Sequence, residues 1–160
     1  MPKLIIDNIE VEVTAGTNVL EAAKKVGIWI PHFCYHPALG SVGACRLCAM
    51  NFLEGPVKGI QMSCMMPAQD GMVISTSDPE ALRLRQLVIE WLMINHPHDC
   101  PVCDEGGHCL LQDETVSGGH GIRRYRGKKR TYEDQDLGSF VRHEMNRCIH
   151  CWRCRRYGSP

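Results

Sequence analysis

The chain has 160 residues, enough for one medium domain or two small ones. Its 18 Lys+Arg balance 18 Asp+Glu, so net charge singles out neither a nucleic-acid partner nor an acidic surface. Aromatic residues make up only 6%, while cysteine occurs 10 times, so the small cores this composition allows need help that bound metal can supply.

From the N-terminus, residues 3–13 alternate apolar and polar around Asp7-Asn8, with Leu4, Ile6, Ile9, Val11 and Val13 as the apolar set, and predict a β-hairpin. Asn18 with Glu21 reads as a capping box for a short helix through Val19, Leu20, Ala22, Ala23 and Val26 that Gly27 ends. Hairpin then helix is a β-grasp opening. Pro31, Pro37, Gly40 and Gly43 make 31–48 a loop whose glycines let backbone N–H groups approach a buried ligand. Val57 to Met62 and Met72 to Thr76 predict two further strands flanking Cys64, and the first domain closes near Ser77. Ser77-x-x-Glu80, with Pro79 in the first turn, reads as a second capping box. Leu84, Leu87, Val88, Trp91 and Leu92 carry that helix to about Asn95, and Pro97 stops it just after His96. Beyond Gln112 the polar, Gly-rich chain predicts loop to about Asp136.

The cysteines fall into three groups that use all 10: Cys34-x10-Cys45-x2-Cys48-x15-Cys64, His96-x3-Cys100-x2-Cys103-x5-Cys109 and Cys148-x2-Cys151-x2-Cys154. Thiolates with an imidazole suit zinc or an iron–sulfur cluster and set aside magnesium and calcium. A disulfide framework is the competing reading. The start Met1-Pro2-Lys3-Leu4 lacks the long apolar stretch of a signal peptide, and no run approaches a membrane span, so a reducing cytosolic compartment and metal are expected. Zinc ribbons want two converging ligand pairs, whereas the first group has the 1+2+1 order of a plant-type [2Fe–2S] loop with a longer first gap. Four cysteines fill that site, which leaves His32 and His36 as ordinary loop histidines. The terminal triplet can reach three corners of a [4Fe–4S] cube, with a fourth ligand from elsewhere. In the central group His96 takes one corner and Cys100, Cys103 and Cys109 the others. His98 is the rival ligand, and His108 and His150 read as neighbours of the site or solvent contacts.

With those residues in view, the chain resembles the N-terminal part of the large iron–sulfur subunit of bacterial NADH–quinone oxidoreductase, respiratory complex I. The resemblance runs from the β-grasp opening to about Tyr157. It is most specific over 37–48 (PALGSVGACRLC), Asn95 to Asp113, and 143–148 (HEMNRC). It implies [2Fe–2S] on Cys34, Cys45, Cys48 and Cys64, [4Fe–4S] on His96, Cys100, Cys103 and Cys109, and the start of another [4Fe–4S] on Cys148, Cys151 and Cys154. The family's fourth ligand for that last cluster lies tens of residues further on and its large molybdopterin-enzyme-like domain is missing here, so a fragment is expected, with a three-iron cluster or a non-cysteine ligand as the other options. The expected architecture is α+β, a β-grasp [2Fe–2S] ferredoxin-like domain (1–77), a small helix-and-loop [4Fe–4S]-binding domain (78–140) and a truncated ferredoxin-type module (141–160).

Fully ligated clusters leave no open position for substrate, and the chain shows no G-x-G-x-x-G or P-loop pattern. No catalytic residue is therefore expected. The implied role is relay of single electrons from an NADH/flavin-binding partner subunit toward quinone, in a membrane-associated complex, peripheral to the cytoplasmic side of the inner membrane, with no span of its own and no nucleic acid. Arg123, Arg124, Arg126, Lys128, Lys129 and Arg130 put six basic residues into eight positions, yet only Tyr125 could stack a base, so a solvated face or docking surface is expected. Met62, Met65 and Met66 read as packing around Cys64. Competing readings are the diaphorase-side subunit of an NAD-linked hydrogenase or the front end of an iron-only hydrogenase, a zinc-stabilised interaction protein, and a free-standing ferredoxin.

Overall fold

A computed structural model of the chain describes residues 1–118 and 124–158. The chain divides into two units, Met1–Arg85 with Trp152–Pro160, and Gln86–Cys151.

The first unit is built on a five-stranded mixed sheet. Strands β1 (Lys3–Ile6) and β2 (Ile9–Glu12) form the expected hairpin. Asp7 and Asn8 both adopt positive φ at its turn, the conformation a two-residue hairpin loop requires. The Asp7 carboxylate also accepts a bond from Thr76 N at 2.8 Å and one from the Thr76 hydroxyl, tying the turn to the end of β5 (Val73–Ser75). Strand β3 (Ala49–Glu54) pairs antiparallel with β4 (Gly59–Met62) and with β5, and β5 runs parallel to β1. The order is therefore β2-β1-β5-β3-β4, the β-grasp arrangement of an α+β ferredoxin-like fold.

Helix α1 (Val19–Lys25) starts where Asn18 Oδ1 accepts from Glu21 N at 2.9 Å. Gly27, at φ +80°, closes it with a bond to Lys24 O. The helix buries Val19, Leu20, Ala22 and Ala23 in one core with Leu4, Ile6, Phe52 and Ile74. Burial of this kind contributes about 1.5–3 kcal/mol per large side chain.

Strand β3 was not expected from the sequence. Its segment begins at the end of a cysteine loop and reads as continuous with it. Only pairing on both sides, to β4 and β5, reveals that Ala49, Met50 and Phe52 are a central strand. Helix α2 (Pro79–Asn95) matches expectation in length, but its cap does not: Asp78, not Ser77, accepts from Glu80 N and Ala81 N. The apolar stripe also differs, since Val88 and Ile89 are buried while Trp91 is 59% exposed.

The second unit contains α3 (Leu110–Ser117) and a small two-stranded pairing of β6 (Gln135–Asp136) with β7 (Arg142–His143). Most of α3 and strand β6 lie where loop was expected, and β7 lies beyond that stretch. The helix forms in a polar stretch because Cys109 supplies an extended N-cap backbone and Leu111 is buried, signals too sparse for periodicity to register. A short helix α4 (Arg153–Tyr157) belongs to the first unit. No helix among the described residues is long and apolar enough to cross a membrane.

Candidate metal centres

The cysteines of the first group sit at places the sheet determines. Cys34 and Cys45 lie on the loop after α1, Cys48 directly precedes β3, and Cys64 lies in a tight helical turn, Ser63–Met65, that follows β4. Cys34, Cys48 and Cys64 are almost completely buried, and Cys45 is half-buried. Ser63 holds the second arm to the first: both its N–H, at 3.0 Å, and its hydroxyl, at 2.9 Å, donate to Cys48 O. The Ser41 hydroxyl donates to Cys64 O from the other side.

In their mutual effect on pKa the four sulfurs form a series, Cys45 to Cys34 to Cys64 to Cys48. Cys45 and Cys64 are the donors, and their thiol pKa values are pushed up. The Cys34 thiol, accepting from Cys45 first and Cys64 second, is drawn down to about 2. Cys48, accepting from Cys64, is drawn down to about 7 against the cost of its burial. The Phe33 N–H adds a backbone donor, reaching the Cys45 sulfur at 3.5 Å. Arg46, between two of the cysteines, takes φ +60°, a conformation that costs about 1–3 kcal/mol in a non-glycine residue and so marks a constrained loop.

This donor set suits a polynuclear group. Four thiols, with the Phe33 N–H at the Cys45 sulfur, fit the donor chemistry of an iron–sulfur cluster, whose sulfurs favour such donors.

His32 and His36 make local contacts. His32 Nδ1 donates to Ile30 O at 2.7 Å with its ring between Trp29 and Tyr35, and His36 Nδ1 accepts from Ala38 N at 3.2 Å. Of the methionines around Cys64, Met62 is buried, Met66 packs against the core, and the Met65 side chain lies over Gly43.

The central group is gathered by backbone geometry. His96 follows the last turn of α2, its N–H reaching Leu92 O. Its Nδ1 lies 2.8 Å from Pro97 O. A carbonyl only accepts, so Nδ1 carries the proton and Nε2 keeps a lone pair available to a metal. Burial first, then the charges of Arg147 and Lys129, hold the imidazole below its ordinary pKa, favouring the neutral ligand form. Cys100 opens a tight helical turn, Cys100–Val102, and Cys103 N donates back to Cys100 O at 3.2 Å. Gly106 N then donates to Cys103 O at 2.9 Å, and Cys109 caps α3. A Cβ on Gly106 would lie 2.4 Å from Cys100 O, so the backbone folds over the Cys100 turn only without a side chain.

An ion-pair clamp adjoins these ligands. Arg147 donates to both Asp99 oxygens, at 2.7 and 2.9 Å, and to Glu144 at 2.6 Å. The Arg147 guanidinium beside it holds the Asp99 carboxyl below the usual carboxylate range, and Asp99 in turn raises Arg147. The Arg147 charge also acts on His96. Lys129 donates to His96 O, Arg130 N donates to Asn95 Oδ1 at 3.1 Å, and Arg124 forks onto Glu90. The basic run is therefore exposed at Arg124, Arg126, Lys128 and Arg130, and partly structural through Arg124 and Lys129. Arg123 lies outside the described residues. The sequence reading missed Arg147, Lys129 and Gly106 as supports, and the available signal was adjacency, since Arg147 precedes Cys148 and Gly106 lies between Cys103 and Cys109.

In the third group Cys148 and Cys151 belong to the second unit and Cys154, on α4, to the first. His150 and Trp152, which flank Cys151, both take left-handed φ, 55° and 64°. Non-glycine residues there are strained, and with Arg46 they place three such positions inside cysteine motifs.

Comparison with known proteins bears on these sites. Residues 3–79 match the 2Fe-2S iron-sulfur cluster binding domain, and residues 85–124 match the NADH-ubiquinone oxidoreductase-G iron-sulfur binding region. The G subunit of NADH-quinone oxidoreductase from Escherichia coli (strain K12) is 57% identical over 98% of this chain, and that from Pseudomonas fluorescens 58% over 98%. The chain spans 18% of the length of these curated relatives. Among solved structures, an NAD+-reducing [NiFe]-hydrogenase in the H2-reduced state superposes with TM-score 0.86 at 32% identity, over 97% of this chain and 64% of that one. With two iron–sulfur family matches and this level of identity along nearly all of its length, the chain belongs to the family formed by the N-terminal region of the NADH-quinone oxidoreductase G subunits.

Proposed function

We propose that this chain is the electron-relay portion of an iron–sulfur subunit of NADH–quinone oxidoreductase, taking single electrons from an NADH- and flavin-bearing partner subunit and handing them on toward quinone. The observation that carries the reading is the burial of Cys34, Cys48 and Cys64, with Cys45 half-buried and accepting from Phe33 N, in a chain of this family. Cys34, Cys45, Cys48 and Cys64 would hold [2Fe–2S], and His96, Cys100, Cys103 and Cys109 would hold [4Fe–4S]. Cys148, Cys151 and Cys154 would take three corners of a second [4Fe–4S] whose fourth ligand is not among these cysteines. The corresponding cluster-bearing segments are 1–77, 78–140 and 141–160.

When bound, such clusters supply one-electron oxidation and reduction without an open coordination position. The chain's own residues do the rest. Burial of Cys34, Cys48 and Cys64 excludes water, and the Phe33 N–H stabilises thiolate charge at Cys45. His96, held neutral with Nε2 free of its proton, replaces a thiolate and so removes a negative charge from its site. The chain works as part of a membrane-associated complex, peripheral to the cytoplasmic side of the inner membrane.

Anaerobic reconstitution with iron and sulfide tests the proposal. A brown protein with a reduced [2Fe–2S] spin-resonance signal is expected, and Cys64→Ser removes that signal while the His96 cluster remains. Material that takes up zinc alone, or a [2Fe–2S] signal unchanged in Cys64→Ser, overturns the assignment. The resemblance to the hydrogenase structure favours a second reading, the diaphorase-side subunit of an NAD-linked hydrogenase. Copurification with a hydrogenase subunit and H2-dependent reduction of the clusters would select it.

A further inference from the structure

The loop that carries Cys34 is held from outside by a residue no cysteine motif predicts. Arg156, on α4, donates through Nη1 to Leu39 O at 2.9 Å and Gly40 O at 2.8 Å, and through Nη2 to Cys34 O. One guanidinium thus gathers three carbonyls from the two ends of the 34–40 segment. Lysine carries the same charge but lacks the planar fork to span them. Arg153 adds a second tether, Nη2 to Tyr35 O at 2.6 Å, but its Nε is buried without a partner among the described residues. An unpaired buried donor costs about 1–3 kcal/mol, so Arg153 is the weaker anchor. Arg155 points elsewhere, its guanidinium 5.1 Å from the Trp152 ring.

We infer that Arg156 is a positioning residue for the first cluster: its fork fixes the Cys34 loop, and its charge beside the Cys34 backbone favours the reduced state of the group bound there. The inference rests on the reading that Cys34, Cys45, Cys48 and Cys64 hold [2Fe–2S]. One-electron reduction adds a negative charge, and a fixed cation on the adjoining loop stabilises that added charge. The geometry also makes α4, which carries Cys154, the brace of the Cys34 loop within the same unit.

The test compares the full chain, reconstituted anaerobically, with Arg156→Gln, Arg156→Lys and Arg155→Gln. Redox titration followed by spin resonance is expected to show a lower [2Fe–2S] midpoint potential in Arg156→Gln, by about tenfold in the one-electron equilibrium, which is 59 mV. Arg156→Lys falls between, and Arg155→Gln and the His96 cluster stay at their wild-type values. In the metal-free proteins, amide hydrogen exchange over 34–40 is expected to quicken in Arg156→Gln and Arg156→Lys only. An unchanged potential in a fully loaded Arg156→Gln, or unchanged exchange over 34–40, overturns the inference. If the wild-type protein lacks the [2Fe–2S] signal, the functional reading fails, while the exchange comparison still decides whether Arg156 braces the loop.

Discussion

The two units hold their ligands by different means. In the first, Cys48 and Cys64 are part of an apolar core shared by five strands and α1, Cys34 is buried on the loop after α1, and Ser63 and Ser41 bonds close the segments that carry them. In the second, the buried apolar residues among those described are Val88, Ile89 and Leu111. His96, Cys100, Cys103 and Cys109 are instead positioned by turns, a glycine contact and the Asp99–Arg147–Glu144 clamp. A site inside a core is preorganised before anything binds. A site made of turns and partly exposed ion pairs gains little stability from those pairs, because water screens them, and so depends on what it binds.

Removing iron and sulfide breaks this comparison most directly. Amides of β1 to β5 are expected to stay protected, while those of residues 95–109 exchange on the order of a hundredfold faster, because metal binding there is folding energy. Equal loss in both units, read by hydrogen exchange, would show that the sheet does not preorganise its sulfurs. Phe52→Ala, in the first core at 1% exposure, is expected to cost about 3–5 kcal/mol in denaturant unfolding of the first unit and to leave the His96 cluster signal in place.

Gly106→Ala tests the second unit, since its methyl collides with Cys100 O. A cost of roughly 1–3 kcal/mol and a reduced [4Fe–4S] content are expected, with [2Fe–2S] content unchanged. His96→Cys should keep a cubane but lower its potential, since a thiolate adds negative charge. A redox titration showing no shift, or the shift arising from His98→Ala instead, would name the other histidine as ligand.

The smallest expected effect is a pH dependence at the start of α2. The amide of Asn51 donates to Asp78, and this bond first, with the helix N–H groups, holds the Asp78 carboxyl below the usual carboxylate range. A depressed folded-state pKa means the unfolded chain binds the proton more readily. The contribution is complete above the unfolded value of about 3.9 and is lost as pH falls through the depressed folded value. Asp78→Asn should therefore flatten the acid limb of first-unit unfolding by losing that small contribution at neutral pH, with the variant and wild type converging in acid.

The sequence by itself determined what is local: the Asp7-Asn8 hairpin, the Asn18 cap and Gly27 stop of α1, the span of α2, and the three cysteine groups with the chemistry that thiolates and an imidazole permit. Those features depend on neighbours within a few residues, where spacing and turn chemistry suffice. Tertiary structure decided the rest. Strand β3 exists because β4 and β5 pair with both of its edges, and Asp78 rather than Ser77 caps α2 in part because Asn51 stands opposite it. Arg147 reaches Asp99 across 48 positions and Arg156 reaches Cys34 across 122, separations at which periodicity carries no information and only the folded chain brings charge to carbonyl or carboxylate.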